Sequence, residues 1–261
     1  MDKLANATAN RIRLKIADLK TAELGPEYSY HSLPLCVIDS VFSIGVRYIN
    51  VQKAVASWCA AQNPPWAKFH TEFEPRKTIS DLLAVARKDG EALSYQDWDA
   101  LPDPYWEAIS DRLFGGNRQR TSTNANKGIL KAKAVILFAR VLKSASVEDF
   151  HDIRDPLRQA AARQAVKAVP GHSSGISFDY LMMMAGDDSF VKADRMICRF
   201  VERATGKSVV NQEEAKQALT GACQLLSAEY PNLTPRLLDH LIWQYQRTER
   251  PEAAGDTIIA A

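Results

Sequence analysis

The sequence has no long hydrophobic run and contains little glycine, proline or cysteine. Its 261 residues include twelve glycines and twelve prolines, a content that excludes collagen-like and low-complexity architectures. No apolar run approaches the roughly 18 residues that a membrane span requires. The opening stretch, MDKLANATANRIRLK, lacks the apolar core of a signal peptide. We therefore expect a cytoplasmic protein with no membrane partner.

The four cysteines, Cys36, Cys59, Cys198 and Cys223, are widely spaced and include no Cys-x-x-Cys pair. This spacing argues against a disulfide framework, a zinc knuckle and a four-cysteine iron–sulfur site. His31, His70, His151 and His240 show no metal-ligand spacing either. We therefore expect no metal and no cofactor, and we interpret the cysteines as small buried apolar residues.

Charge is unevenly distributed although the net charge is only +2. Residues 70–111 hold ten acidic and four basic residues, whereas residues 112–143 hold eight basic residues and no acidic one. One interpretation is two ordinary solvated helix faces. The other is a polyanion-binding surface beside a face that stays in solvent. On the second interpretation, Lys127 and Lys131 are candidate phosphate contacts.

Helix signals recur along the chain, and convincing strand signals do not. Proline directly after a capping residue predicts helix starts at Asp103-Pro104, Asp155-Pro156 and Thr234-Pro235. Apolar residues keep helical spacing in KGILKAKAVILFARVLKS and in the segment 35–58. About ten helices fit the pattern, and we predict an all-α fold.

Residues 169–201, VPGHSSGISFDYLMMMAGDDSFVKADRMICRFV, carry the most information. We predict a helix ending at Val169, a tight turn PGHSSG, a second helix through Met184 and a third helix from Asp194. Backbone N–H groups at such a turn can bind a phosphate, and small residues permit its close approach. An ordinary helical turn with a glycine cap explains the same residues.

This stretch resembles the helix-hairpin-helix base-excision DNA glycosylases. Their hairpin reads Leu-Pro-Gly-Val-Gly-x-x-Thr-Ala, and Val169-Pro170-Gly171 matches its opening. A catalytic aspartate follows in a Val-x-Asp-x-x-apolar-x-Arg context, which VKADRMICR (191–199) resembles with one residue inserted. Segments 35–55 and 124–142 resemble the family's early helix with its DNA-probing loop and a later helix that begins near a glycine.

The resemblance implies two helical subdomains that flank a DNA-binding cleft, with the helix-hairpin-helix motif near 160–185. We expect one subdomain to span 34–193 and the other to combine 1–33 with 194–261. Asp194 is the implied catalytic carboxylate, which would stabilise the oxocarbenium-like transition state and activate water. The competing interpretation of Asp194 is a helix N-cap, and the two are compatible.

Two further sets of residues follow from the resemblance. The implied DNA contacts, besides the two lysines above, are Gly171, His172, Ser173, Gly175, Lys192 and Arg195. A base-reading pocket must take up a nucleotide that leaves the stack. Its candidates are Asp39, Ser43, Arg47 and Tyr48 on the early helix and Phe178, Asp179 and Met182 on the second hairpin helix, each of which core packing or surface exposure also explains.

One departure from the family pattern specifies the reaction. Family members that also cleave the strand carry a lysine at the hairpin position that Gly175 occupies here, and without that amine no Schiff base forms there. We therefore predict a monomeric, monofunctional glycosylase that acts on damaged or modified bases in double-stranded DNA, for repair or for defence against phage DNA with modified bases. The alternatives are a non-catalytic helix-hairpin-helix DNA-binding protein and an all-α interaction protein without a nucleic-acid role.

Overall fold

The computed structural model describes residues 3–87, 97–121 and 128–249, and the regular secondary structure in these ranges is helical. Eleven α-helices occur in them: α1 (Lys3–Lys15), α2 (Leu33–Phe42), α3 (Tyr48–Ala60), α4 (Ile79–Ala86), α5 (Asp103–Leu113), α6 (Lys131–Ser144), α7 (Pro156–Val166), α8 (Ile176–Met184), α9 (Arg195–Thr205), α10 (Gln212–Leu226) and α11 (Pro235–Glu249). Within the described ranges, extended pairing is limited to two isolated bridges, Tyr30–Phe69 and Arg120–Leu130. The predicted all-α class is confirmed.

Local capping chemistry sets several helix starts where the sequence predicted them. Helix α7 begins at Pro156, and the Asp155 carboxylate accepts hydrogen bonds from the next two free amides. Helix α11 begins at Pro235. Helix α5 begins at Asp103 itself, with Pro102 as the capping residue, one position earlier than predicted. Helix α7 ends at Val166 rather than Val169, because the chain turns from Lys167 onward.

The chain divides into two compact units. Among the described residues, the terminal unit combines residues 3–28 with residues 186–249, and the central unit comprises Ser29–Ala185. The sequence predicts this division between residues 33 and 34 and between residues 193 and 194. The structure divides the chain after Tyr28 and after Ala185.

Helix α2 is the centre of the central unit. All ten of its residues are buried, and it packs against α3, α4, α6 and α8. Phe42 at its end contacts Phe114, which also contacts Trp58 on α3. A helix whose residues are buried on every side needs neighbours that cover it completely. Helix α8 packs against α2 and α7 packs against α6, so both helices belong to the same packed core.

The terminal unit has its own apolar core. Helix α1 packs against α9 and α10, and α11 packs against the same two helices. Ile12, Phe200, Leu219 and Ile242 are members of the buried cluster that these four helices share. The helix that follows Asp194 is therefore anchored along its length.

Most of the cysteines lie in the protein interior, as the sequence predicts. All four cysteines are free thiols, of which Cys36, Cys59 and Cys223 are buried and Cys198 is half-buried. Among the described helices, none has the length and apolarity that crossing a bilayer demands.

Gly128 lies in close backbone contact with Thr121, just before α6 begins. Gly128 has a φ of +64°, and a Cβ placed on it would lie 1.7 Å from the carbonyl oxygen of Thr121. Thr121 is bound there, because its amide donates to Ile129 O and its Oγ1 accepts from the Ile129 amide. No side chain fits at Gly128 unless these two hydrogen bonds are lost.

We expect Gly128→Ala to lower the free energy of unfolding by about 3 kcal/mol, the sum of positive-φ strain and overpacking. Gly206→Ala is the matched control, since Gly206 has a φ of +70° and open space around its Cβ position. That control should cost only about 1 kcal/mol. Urea unfolding measures the loss of unfolding free energy in both variants. Equal losses would show that the close contact at Gly128 adds no cost beyond the positive φ.

Candidate active site

Helices α7 and α8 are consecutive in the chain and are joined by residues 167–175, the segment in which the sequence predicts a hairpin turn. Gly175 caps α8 in the left-handed region, with a φ of +79°. A glycine adopts this conformation without the steric cost that a Cβ imposes. The central unit therefore contains two helices and a short glycine-bearing turn, with α8 beginning directly after the turn.

The amides of the turn are only partly available to a ligand. The His172 amide donates to Val169 O at 3.0 Å, and the Gly175 amide donates to His172 O at 3.1 Å. The amides of Gly171 and Ser173 donate to no residue in the described chain. Of the four turn residues assigned to DNA, Gly171 and Ser173 thus keep open amides, whereas the amides of His172 and Gly175 close the turn.

His172 lies inside the turn rather than on its surface. Its side chain is 1% exposed, its Nδ1 is 2.7 Å from Ser177 Oγ, and its ring meets Phe138 edge-on. Burial, with a smaller contribution from the charge of Lys131, lowers the pKa of His172 to about 4. As a buried neutral ring, His172 packs the hairpin against α6 and does not provide the surface DNA contact that we expected.

The second hairpin helix directs its candidate pocket residues inward. Asp179 is 1% exposed and forms an ion pair with Arg163 of α7, whose guanidinium also lies over the Phe178 ring. Phe178 and Met182 are fully buried. In this arrangement the three candidates join the two hairpin helices to each other and to the core.

Lys131 corrects the expected set of phosphate contacts. Its side chain is 1% exposed, and its ammonium group donates to Phe42 O at 2.8 Å and to Ile44 O at 2.6 Å. These carbonyls lie at the C-terminal end of α2, where the helix dipole favours a cation. Because its ammonium group is buried and hydrogen-bonded to these two carbonyls, Lys131 is not a surface cation. Lys127 lies outside the described residues.

The acidic and basic segments neutralise each other in part. Arg118 pairs with Asp111 at 2.8 Å, and Arg120 pairs with Asp103. Lys143 pairs with Glu148, which lies outside the acidic segment. These cations therefore face carboxylates rather than an open anion-binding surface, which favours the interpretation as ordinary solvated helix faces.

The four candidate pocket residues in and after the early helix differ in their exposure to solvent. Asp39 is fully buried, and its Oδ2 accepts a hydrogen bond from the Tyr30 hydroxyl at 2.7 Å. Ser43, Arg47 and Tyr48 lie at the end of α2 and the start of α3, where Arg47 is exposed and the other two are half-buried. The second group, and not Asp39, is accessible from solvent.

Asp194 is the N-cap of α9 in the terminal unit. Its Oδ1 accepts hydrogen bonds from the amides of Met196 at 2.7 Å and Ile197 at 3.3 Å. The residue is half-buried, and its Oδ2 accepts no hydrogen bond from the described residues. One carboxylate oxygen is thus fixed by the helix while the other is left for a ligand or water.

The basic neighbours of Asp194 differ in exposure. Arg195 is exposed, and Lys192 is half-buried. The Lys192 carbonyl accepts a hydrogen bond from the Asp194 amide at 2.6 Å, and the Lys192 amide donates to Asp239 Oδ2 at 2.9 Å. The backbone of Lys192 thus connects Asp194 to a second carboxylate.

Sequence reasoning missed Asp239. The residue lies on α11 and is 6% exposed. Burial, followed by the charge of Asp194, raises the pKa of Asp239 well above its ordinary value, although Lys192 opposes the shift. The available signal was an aspartate within the apolar run LLDHLIW, where a charged side chain falls on the buried face of an amphipathic helix.

One group of side chains has the composition of a metal site. Ligand atoms of Asp149, His151 and Asp152 lie within 4.8 Å of one another. However, Asp149 Oδ1 already accepts hydrogen bonds from the amides of the other two residues, and Asp152 pairs with Arg158. These contacts explain the cluster as a capped turn.

Residues 9–247 match the family described as a domain of unknown function, DUF8548. The chain belongs to this family. The match includes residues of both units. No curated protein and no solved structure matches the chain.

The buried imidazole of the hairpin makes stability pH-dependent. Because the folded-state pKa of His172 is about 4 and its ordinary value is 6.5, only the unfolded chain binds a proton between these values. The stabilisation is fully present above pH 6.5, and about 3 kcal/mol of it is lost as the pH falls to 4.

We expect His172→Val to remove this dependence. The difference in unfolding free energy between wild type and variant should shrink by about 3 kcal/mol from pH 7 to pH 4. Urea unfolding at several pH values measures this difference. His151→Val is the control, because His151 is exposed. A wild-type-minus-variant difference that stays constant with pH for His172→Val would refute the assignment.

Proposed function

We propose that this protein is a monofunctional DNA glycosylase that hydrolyses the N-glycosidic bond of a damaged or modified base in double-stranded DNA. The observation that carries the proposal is Asp194, which follows the helical hairpin in the chain and keeps one carboxylate oxygen open at the start of a rigid helix. The resemblance of the hairpin and of the Asp194 segment to the helix-hairpin-helix glycosylases supports it.

The proposed reaction needs a negative charge near C1′ of the target nucleotide. As the C1′–N bond breaks, the sugar acquires oxocarbenium character and the base takes the bonding electrons. A carboxylate close to C1′ stabilises that cation and orients the attacking water. Water adds to C1′ and leaves an abasic site, while a proton is delivered to the departing base. Asp194 Oδ2 is the atom assigned to this role.

The hairpin supplies the proposed anchor. The open amides of Gly171 and Ser173 and the first turn of α8 provide donors for one backbone phosphate, which fixes position without reading sequence. Arg195 and Lys192 would add cations beside Asp194. The proposed setting is the cytoplasm, and the nucleoid when the protein is bound to DNA, in base-excision repair or in defence against phages.

A second candidate function is a DNA-binding protein without turnover. The capping geometry favours it, because the two hydrogen bonds to Asp194 Oδ1 give that residue a structural role of its own. A salt series of duplex affinity tests whether the protein binds DNA, since phosphate contacts produce a steep fall in affinity with salt. A panel of base-modified duplexes, including genomic DNA from phages with modified cytosine, then separates an enzyme from a binding protein.

Asp194→Asn distinguishes catalysis from capping. Asparagine caps helices about as well as aspartate, so the melting temperature should change little. The loss of charge should lower the single-turnover excision rate by about a hundredfold or more. Asp155→Asn is the matched control, because Asp155 caps α7 in the same way through the amides of Leu157 and Arg158. Near wild-type excision by Asp194→Asn would eliminate Asp194 as the catalytic residue.

We expect the product strand to remain intact until alkali or an abasic endonuclease cleaves it. The hairpin has Gly175 where a lyase lysine would stand, although the Lys167 side chain lies beside it, with Cε 3.6 Å from the Cβ position of Gly175. Borohydride should therefore trap no protein–DNA adduct. If an adduct forms and Lys167→Met abolishes it, Lys167 supplies the amine and the monofunctional assignment fails.

A further inference from the structure

The terminal unit contains a buried carboxyl group that the proposed reaction does not use. Asp239 lies on the same α11 stretch as Leu238 and Ile242, two members of the apolar core. Burying a carboxyl group there is costly unless a donor compensates it. The donor is a backbone amide, that of Lys192, at 2.9 Å from Asp239 Oδ2.

This hydrogen bond fixes a short irregular segment. Val191 and Ala193, on either side of Lys192, are buried against the same core. Directly afterwards the Asp194 amide turns back to the Lys192 carbonyl, and the Asp194 side chain caps α9. The Lys192 amide thus donates a hydrogen bond to Asp239, and the Lys192 carbonyl accepts one from the Asp194 amide. The position of the Lys192 backbone therefore depends on α11.

We propose that Asp239 is a positioning residue for Asp194: by binding the Lys192 amide it sets where the segment 191–194 lies, and with it the direction of the open Asp194 oxygen. The inference rests on the proposed function. A displacement of about 1 Å in a catalytic group is enough to slow a reaction by up to about a hundredfold. Asp239 acts through Lys192 and is not assigned a contact with DNA.

Two variants at one position test the hydrogen bond. Asp239→Asn keeps an oxygen that can accept from the Lys192 amide, whereas Asp239→Leu has similar volume and no acceptor. We expect Asp239→Leu to slow single-turnover excision by about tenfold to a hundredfold while duplex affinity changes by less than about twofold. Asp239→Asn should restore the rate to within about threefold of wild type.

Glu202→Met is the matched control in the same unit. The Glu202 carboxylate also binds a backbone amide, that of Val210 at 3.0 Å, but at the far end of α9. Its loss should leave the excision rate unchanged at a temperature well below unfolding. If Glu202→Met slows excision as much as Asp239→Leu does, general loosening explains the effect and the positioning role is refuted.

Amide hydrogen exchange, measured by NMR, reports whether the Lys192–Asp239 hydrogen bond is intact and does not depend on activity. Asp239→Leu should speed exchange at Lys192 by at least about tenfold, and Asp239→Asn should not. Unchanged exchange in Asp239→Leu, or equal loss of activity in both Asp239 variants, overturns the proposal. If wild type excises no base from any duplex, the proposed function fails, while exchange still decides whether Asp239 fixes the segment.

Discussion

A buried ammonium group determines how the central unit is built. Lys131 brings a positive charge into an apolar interior, which is tolerated only when acceptors surround it. The carbonyls of Phe42 and Ile44 provide that compensation at the end of the central helix. Burial lowers the pKa of His172, and the charge of Lys131 lowers it further, so that His172 packs as a neutral ring beneath the turn before α8. One lysine thus fixes the end of α2 and helps to define the interior of the hairpin.

Three buried aspartates show three ways of accommodating a carboxyl group. Asp39 binds a neutral hydroxyl, that of Tyr30, and Asp179 binds the guanidinium of Arg163. Asp239 binds a backbone amide instead. The first joins α2 to the non-helical segment that precedes it and the second joins α8 to α7, whereas the third orders an irregular segment of the terminal unit. Their different partners explain why aspartates that look alike in the sequence contribute differently to the structure.

Local chemistry could be predicted from the sequence, and tertiary compensation could not. The starts of α7 and α11 and the cap of α9 follow from residues adjacent in the chain, and the structure has each of them. Lys131 looked like a surface cation because its acceptors lie far away in sequence, at the end of α2. The partners of Arg118 and Arg120, Asp111 and Asp103, are closer in sequence, 7 and 17 residues away, and depend on the turn that follows α5.

The cap at the start of α9 has an evolutionary consequence. Aspartate and asparagine codons differ by a single nucleotide, and either residue satisfies the amides of Met196 and Ile197. One point mutation at Asp194 therefore leaves a chain that still folds, whatever becomes of its chemistry. If the proposed reaction is correct, catalytically silent descendants arise readily in this family, and they would keep the capped helix and the hairpin while losing only the charge.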